Sequence, residues 1–416
     1  MDPLAAAALS LFLCLCYLTL LFTWRQRHRK SKMPPGPTPL PFIGNLLQVN
    51  TSDMRHSFSK KYGPVYTIHL GPRRIVVLCG YDAVKEALAD QAEDFSGRGE
   101  QHPPSLFFRF LGVAFSNGER TKQLRRFSLM TLRNFGLGRR PIEERILEEA
   151  HFLLEALRST KGEAFDPTYM LSRTVSNVIS SIIFGNRFDY EDPEFLSLLN
   201  MMLKTLRFTA TSWGQVNSRH HFSSRCPQHE AFKHLLGLEE FVARKVKANQ
   251  ETLDPNSPRD FIDSFLVKME QEKENPSSEF FLKNLVFTTL NIFFAGTETV
   301  STTLRYAFLI LLKYPEIEEK LHEEIDRVIG RHRSPNMDDR AQMPYTEAVI
   351  HEMQRYIDVL PNGLARRVIR DTQFRGYTIP KVQSLLLVPG ISQPLSTFCG
   401  PLQPNTPPVW VGKRPK

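Results

Sequence analysis

The chain has 416 residues, with 53 basic and 44 acidic side chains for a formal net charge of +9, and 41% of its residues are apolar. That length exceeds one small module, and that apolar share argues against both general disorder and a many-pass membrane protein. Five scattered cysteines (Cys14, Cys16, Cys79, Cys226 and Cys399) without a CxxC pair argue against a disulfide framework or a zinc ribbon.

Residues 4–24 carry no formal charge, and Arg25, Arg27, Arg29, Lys30 and Lys32 follow at once. A helix of that length measures about 31 Å, enough to cross the hydrocarbon layer. The basic flank predicts a single-pass anchor over 1–24, with the N-terminus lumenal and the rest of the chain cytosolic. The competing reading, a cleaved signal peptide, would want its basic residues before the apolar run. The same flank accounts for much of the positive charge as membrane-adjacent, and no basic and aromatic interleaving elsewhere suggests a nucleic-acid partner. Residues 25–41, ending in Pro34-Pro35-Gly36-Pro37-Thr38-Pro39-Leu40-Pro41, read as a basic, Pro-rich spacer.

Two β-rich runs, 65–70 and 74–78, flank Gly71-Pro72-Arg73 and predict a hairpin. From 82 to about 250 the pattern is mainly helical, with clear three- and four-residue apolar steps over Ile142–Leu157. The strongest single helix is predicted over 278–314, stopped by Pro315, and it is apolar on nearly every side from Leu285 to Phe294. Its middle holds Ala295-Gly296-Thr297-Glu298-Thr299, where a glycine weakens the helix and hydroxyls beside a carboxylate offer a ligand site. A packing glycine against a crossing helix explains the same residues equally well. Glu352 and Arg355 share one face of a further helix, where a solvated ion pair is the default reading.

These pieces in this order resemble the microsomal cytochromes P450 of family 2, closest to the olfactory-type and coumarin-hydroxylating subfamilies. The residues that carry the likeness are the anchor, Pro34-Pro35-Gly36-Pro37, Phe95-Ser96-Gly97-Arg98-Gly99 and Leu124-Arg125-Arg126-Phe127-Ser128. Leu171–Asn177, Ala295–Thr299, Pro344-Tyr345 and Glu352–Arg355 complete the set. The resemblance implies a mainly α fold with small β-sheets, a partial P450 catalytic domain over 42–381, and a heme cofactor. It also implies small apolar substrates, the endoplasmic reticulum membrane as location, and NADPH-cytochrome P450 reductase as redox partner. By the same likeness Thr299 and Glu298 handle protons for bound dioxygen, Arg125 and Arg366 meet the heme propionates, and Glu352 with Arg355 locks the core behind the heme. Thr121 stands where many relatives have Trp. Leu106, Phe107, Phe108, Phe293 and Phe294 fall in regions that line the substrate pocket.

The likeness fails at one place that matters. Such chemistry needs an axial cysteine thiolate, supplied in the family by a late Phe-x-x-Gly-x-x-x-Cys-x-Gly loop. Here the only late cysteine is Cys399, in Ser396-Thr397-Phe398-Cys399-Gly400-Pro401, only 47 residues after Glu352. Residues 382–416 hold seven prolines and no acidic residue, so they read as an aberrant, disordered tail that builds no core layer. Val216 to His229 reads as a second aberrant stretch and not as a metal site. The expectation is an inactive P450 relative with no metal ligand and vestigial Thr299 and Glu298. Without the loop and the helix after it, the central helix should expose apolar surface. The alternatives are an active membrane-bound monooxygenase and a membrane-tethered interaction module.

Overall fold

A computed structural model describes residues 10, 12, 14–19, 33–41, 43–49, 58–71, 73–98, 111–138, 140–210, 227–357, 359, 363–364, 366–381 and 383–388. Residues 14–19 are helical, and the remainder of the expected anchor lies outside the described residues. Among the described residues no helix is long and apolar enough to cross a membrane. The chain divides into two compact units, residues 1–99 with 360–392 and residues 100–359 with 393–416.

The first unit is built on a four-stranded sheet. A short helix α1 (Ser59–Tyr62) leads into β1 (Val65–Leu70) and β2 (Arg73–Cys79), which pair antiparallel from Val65↔Leu78 to Leu70↔Arg73, so the expected hairpin forms. Helix α2 (Tyr81–Lys85) follows and continues as a wider turn over Glu86–Asp90. Four strands come from the far end of the chain: β3 (Arg366–Arg367), β4 (Thr372–Phe374), β5 (Tyr377–Ile379) and β6 (Ser384–Val388). The sheet order is β1-β2-β6-β3, with β6 parallel to β2, while β4 and β5 form a separate hairpin. Arg375 and Gly376, both at positive φ, make its two-residue turn.

Side chains alternate between the two faces of the larger sheet. Val65, Val76, Leu78, Leu385 and Leu387 pack with Phe95, Phe374 and Ile379. Tyr66, Ile68, Val77 and Val388 pack with Phe58 on the other face.

Two expectations are corrected in this unit. The stretch after 381 was expected to build no core layer, yet Ser384–Val388 is a strand with Leu385, Leu387 and Val388 buried. Its short apolar run gains a parallel partner in β2, a register invisible to local pattern reading; residues 389–416 lie outside the described residues. The spacer expected over 25–41 also ends early. Thr67 donates its backbone N–H to Pro35 O and its hydroxyl to Pro34 O, each at 2.8 Å. A Cβ on Gly36 would sit 1.8 Å from Thr67 O. Prolines lack donors but keep their carbonyls, which suits them to cover an open strand edge. The folded body therefore starts before residue 42.

The second unit is helical: α3 (Gly112–Phe115), α4 (Gly118–Asn134), α5 (Arg140–Ser159), α6 (Thr168–Ile183), α7 (Pro193–Ala210), α8 (Pro227–Glu251), α9 (Phe261–Gln271), α10 (Leu282–Lys313), α11 (Pro315–Val328) and α12 (Pro344–Ile357). One large core joins Leu124 and Phe127 of α4, Leu198 and Met202 of α7, and Leu235, Leu238 and Phe241 of α8. Phe261 and Phe265 of α9 and Leu285, Phe287, Leu290 and Phe293 of α10 belong to it too. Phe127 meets Phe261, Phe265 and Phe280 edge-on at 5.2–5.8 Å, the geometry that aromatic quadrupoles prefer. Helix α10 starts at Leu282, four residues later than expected. Turns through Asn275 and Ser278 precede it, and Phe281 is its extended N-cap residue. Pro315 both stops it and opens α11 at its first position.

Candidate functional site on the central helix

Glu298, Thr299, Phe293 and Phe294 sit on α10, which two asparagines anchor inside its unit. Asn284 donates to Glu279 O at 2.8 Å and accepts from Gly112 N at 3.3 Å. Asn291 accepts from Ala114 N at 3.0 Å. Gly112 has φ +71° and approaches so closely that a Cβ would lie 2.5 Å from Asn291 Oδ1 and 2.8 Å from Phe287 O. Only glycine fits there. Sequence reading treated 285–294 as an apolar run and did not see the task of Asn291; an amide inside such a run is the signal.

The Ala295–Thr299 block is helical throughout. Gly296 faces α6, where a Cβ would sit 2.7 Å from both Ile179 Cδ1 and Ile179 Cγ1. Beside it Ser176 donates to the fully buried Thr297 hydroxyl at 3.2 Å. Of the two readings left open by the sequence, the glycine is one of close packing. Thr299 uses its hydroxyl proton inside the helix, donating to Ala295 O at 2.6 Å, and Thr303 does the same to Thr299 O at 2.7 Å. Glu298 is different. Its Oε1 is buried with no hydrogen-bond partner among the described residues. Burial pushes its carboxyl above the ordinary glutamate range, against the opposing pull of Arg305 and Arg207.

The other residues are dispersed. Phe293 is 1% exposed and packs on Phe184 with ring centres 6.0 Å apart, and Phe294 is half-buried against the same core. Leu106, Phe107 and Phe108 lie outside the described residues. Arg125 is exposed on α4, and Thr121 shares a 3.0 Å hydrogen bond with Ser116. Arg366 belongs to β3 in the other unit, where its Nη1 reaches Phe95 O at 3.4 Å. Glu352 and Arg355 do meet: Arg355 Nε donates to Oε2 at 2.6 Å and Nη2 to Oε1 at 2.5 Å, and both side chains stand largely in solvent.

Sequence reading missed two buried carboxylates with structural work. Glu324 accepts from the backbone N–H groups of Tyr345 and Thr346 and from the Thr346 hydroxyl, satisfying the start of α12. Glu149, 2% exposed, pairs with Arg187 at 2.6 Å and accepts from Tyr190 and Asn177. Burial raises the Tyr190 phenol to about 12. Both glutamates look in sequence like the polar side of amphipathic helices, and no local signal distinguishes them.

A heme thiolate asks for a deprotonated cysteine facing open space. Cys79 is buried in β2 beneath the sheet, and burial raises its thiol pKa despite a hydrogen bond with Ser59. Cys14 and Cys16 belong to the apolar N-terminal helix. Among the described residues no group of three or more His, Cys, Asp or Glu side chains is placed to hold a metal ion. The described cysteines therefore do not fit a thiolate-ligated heme. Cys226 and Cys399 lie outside them.

The family model for cytochrome P450 matches residues 34–391. The chain is 67% identical to human cytochrome P450 2A13 over 350 residues, which is 82% of this chain and 70% of that protein. It is 66% identical to mouse cytochrome P450 2A4 and 65% identical to human cytochrome P450 2A6, with the same coverage. The match runs ten residues past Lys381, in keeping with the core role of β6.

Proposed function

The chain belongs to the cytochrome P450 family, and from that premise we propose that residues 1–416 are a membrane-anchored, catalytically silent relative of the heme monooxygenases that act on small apolar molecules. The family implies heme, which when held by a thiolate supplies the electron density that favours O–O cleavage. One observation carries the reading. The sequence has no Phe-x-x-Gly-x-x-x-Cys-x-Gly loop, and the one described cysteine outside the N-terminal apolar run, Cys79, is buried with its thiol pKa raised by burial. The neighbourhood of α10 supports it, since Thr299 donates to its own helix and Glu298 Oε1 has no hydrogen-bond partner among the described residues. The apolar run at 4–24 with its basic flank supports a membrane anchor with the body in the cytosol, and the family likeness supports the endoplasmic reticulum as that membrane. NADPH-cytochrome P450 reductase is the partner that the family implies.

The test is a reduced, carbon-monoxide-bound difference spectrum on membranes carrying a measured amount of the full chain. The expected result is no thiolate-type Soret band. A band in proportion to the protein would overturn the proposal, because some cysteine would then reach the iron.

A further inference from the structure

Between α11 and α12 the chain runs through Arg331-His332-Arg333-Ser334-Pro335-Asn336, exposed residues that belong to no helix or strand. Gly330, at φ +75°, releases the chain from the end of α11. A tight helical turn over Met337–Gln342 then carries it towards α12. Pro335 favours an extended backbone at Ser334 and has no N–H of its own. The two arginines before Ser334 are set differently. Arg333 is committed to the turn: its Nη1 and Nη2 donate to the Asp339 carboxylate at 2.7 and 2.6 Å, and Asp339 Oδ2 also accepts from Asn336 N at 2.8 Å. Arg331 pairs with Asp326 at 2.7 Å, with side chains 81% and 44% exposed, so that pair opens at little cost.

We propose that Ser334 is a phosphorylation site, read by a proline-directed serine kinase that also takes an arginine three residues before the acceptor. The inference goes beyond the proposed loss of turnover and does not depend on it. An exposed acceptor in irregular backbone enters a kinase cleft without unfolding a helix or strand. Pro335 suits the next position in that cleft, where no N–H is needed, and Arg331 is free to leave Asp326 for an acidic side chain of the kinase. Ser257-Pro258 supplies the contrast. Ser257 is exposed in a loop too, but the residue three before it is Asp254, of the wrong charge. In the reaction the γ-phosphoryl group of a nucleoside triphosphate passes to Ser334 Oγ. The bond from the γ-phosphorus to its bridging oxygen breaks, the Oγ–P bond forms, the nucleoside diphosphate leaves, and the hydroxyl proton goes to the carboxylate base of the kinase. The product carries a charge of about −1.5 to −2 at neutral pH. One residue from Arg333, that charge competes with Asp339 for the guanidinium and loosens the capping of the 337–342 turn.

The experiment uses the full chain in opened membrane fragments, a purified kinase of that class and ATP labelled at its γ-phosphate, with the labelled peptides mapped by mass spectrometry. The expected label lies on Ser334, and Ser334→Ala removes it. Arg331→Gln should lower the rate of labelling about tenfold, the size of one lost charge-assisted hydrogen bond, and Ser257 should lag behind Ser334 by a similar factor. Faster hydrogen exchange at the Asn336 and Asp339 amides of the phosphorylated chain registers the loss of Arg333 from the turn. No label on Ser334, equal labelling of Ser257, a rate indifferent to Arg331→Gln, or label that appears only after the chain is denatured would each overturn the proposal. Exchange unchanged by the phosphate would overturn the effect on the turn.

Discussion

The two halves of α10 are written in the same apolar alphabet and end in opposite surroundings. From Leu285 to Asn291 every residue is buried, while from Thr302 to Lys313 none is. The first half is enclosed by α3, by the aromatic cluster around Phe127 and by the crossing helix α6 at Gly296. The second half offers Phe308 and Leu312 to its surroundings. An apolar sequence creates a demand for burial, and only a neighbour meets it. The exposure of the second half agrees with the expectation that this helix leaves apolar surface uncovered.

The largest effect separates the halves by a matched pair of truncations. Phe287→Ala removes a side chain that is 1% exposed and should cost about 3–5 kcal/mol through lost transfer energy and a cavity. Phe308→Ala removes one that is 42% exposed and should cost no more than about 1 kcal/mol, partly offset by the better helix propensity of alanine. Urea unfolding of the two variants against the parent chain reads the difference. Equal costs would mean that Phe308 is core and that the contrast between the halves is false.

Glu298 stands at the junction, and its prediction is a slope against pH. Burial raises its folded pKa, so the folded state holds a proton that the unfolded state releases. Stability from this group is then full below the ordinary glutamate value and falls as pH rises through the window up to the raised one. Glu298→Gln should remove that slope and stabilise the protein at neutral pH, by an amount of order 1 kcal/mol for a partly buried charge with an unpartnered oxygen. Unfolding midpoints at pH 4, 5, 6 and 7 would show it. A variant that parallels the parent at every pH would mean that the carboxylate is solvated, and the closed half of the helix would then end before residue 298.

What the sequence revealed follows the range of each signal. The hairpin of β1 and β2 was legible because alternation and a Gly-Pro turn lie within fifteen residues. Strand β6 was not, since Leu385–Val388 sits among prolines and its partner Val76–Cys79 is some three hundred residues away. The edge role of Pro34 and Pro35 was hidden for the same reason. At the candidate site, Glu298 and Thr299 were visible as chemical types within a helix. Whether Gly296 served a ligand or packing depended on Ile179, which no reading of residues 295–299 alone supplies.

The smallest effect belongs to Glu352 and Arg355, where geometry and resemblance disagree. The family likeness gives this pair the task of locking the core. Here it is well formed but solvated, with Arg355 holding the Glu352 carboxyl below the ordinary glutamate range. A depressed folded pKa adds stability above the ordinary glutamate value and loses it as pH falls. In open solvent, screening and side-chain entropy cancel most of that gain. Glu352→Ala should therefore move the thermal midpoint by no more than about 2 °C at neutral pH, and by less still in high salt. Arg355→Lys, which keeps the charge and loses the two-pronged hydrogen bond, should lie within the same bound. A collapse of the folded protein in either variant would show that the pair is not solvated. The effect would then extend to α10, since α12 carries this pair and packs on α10.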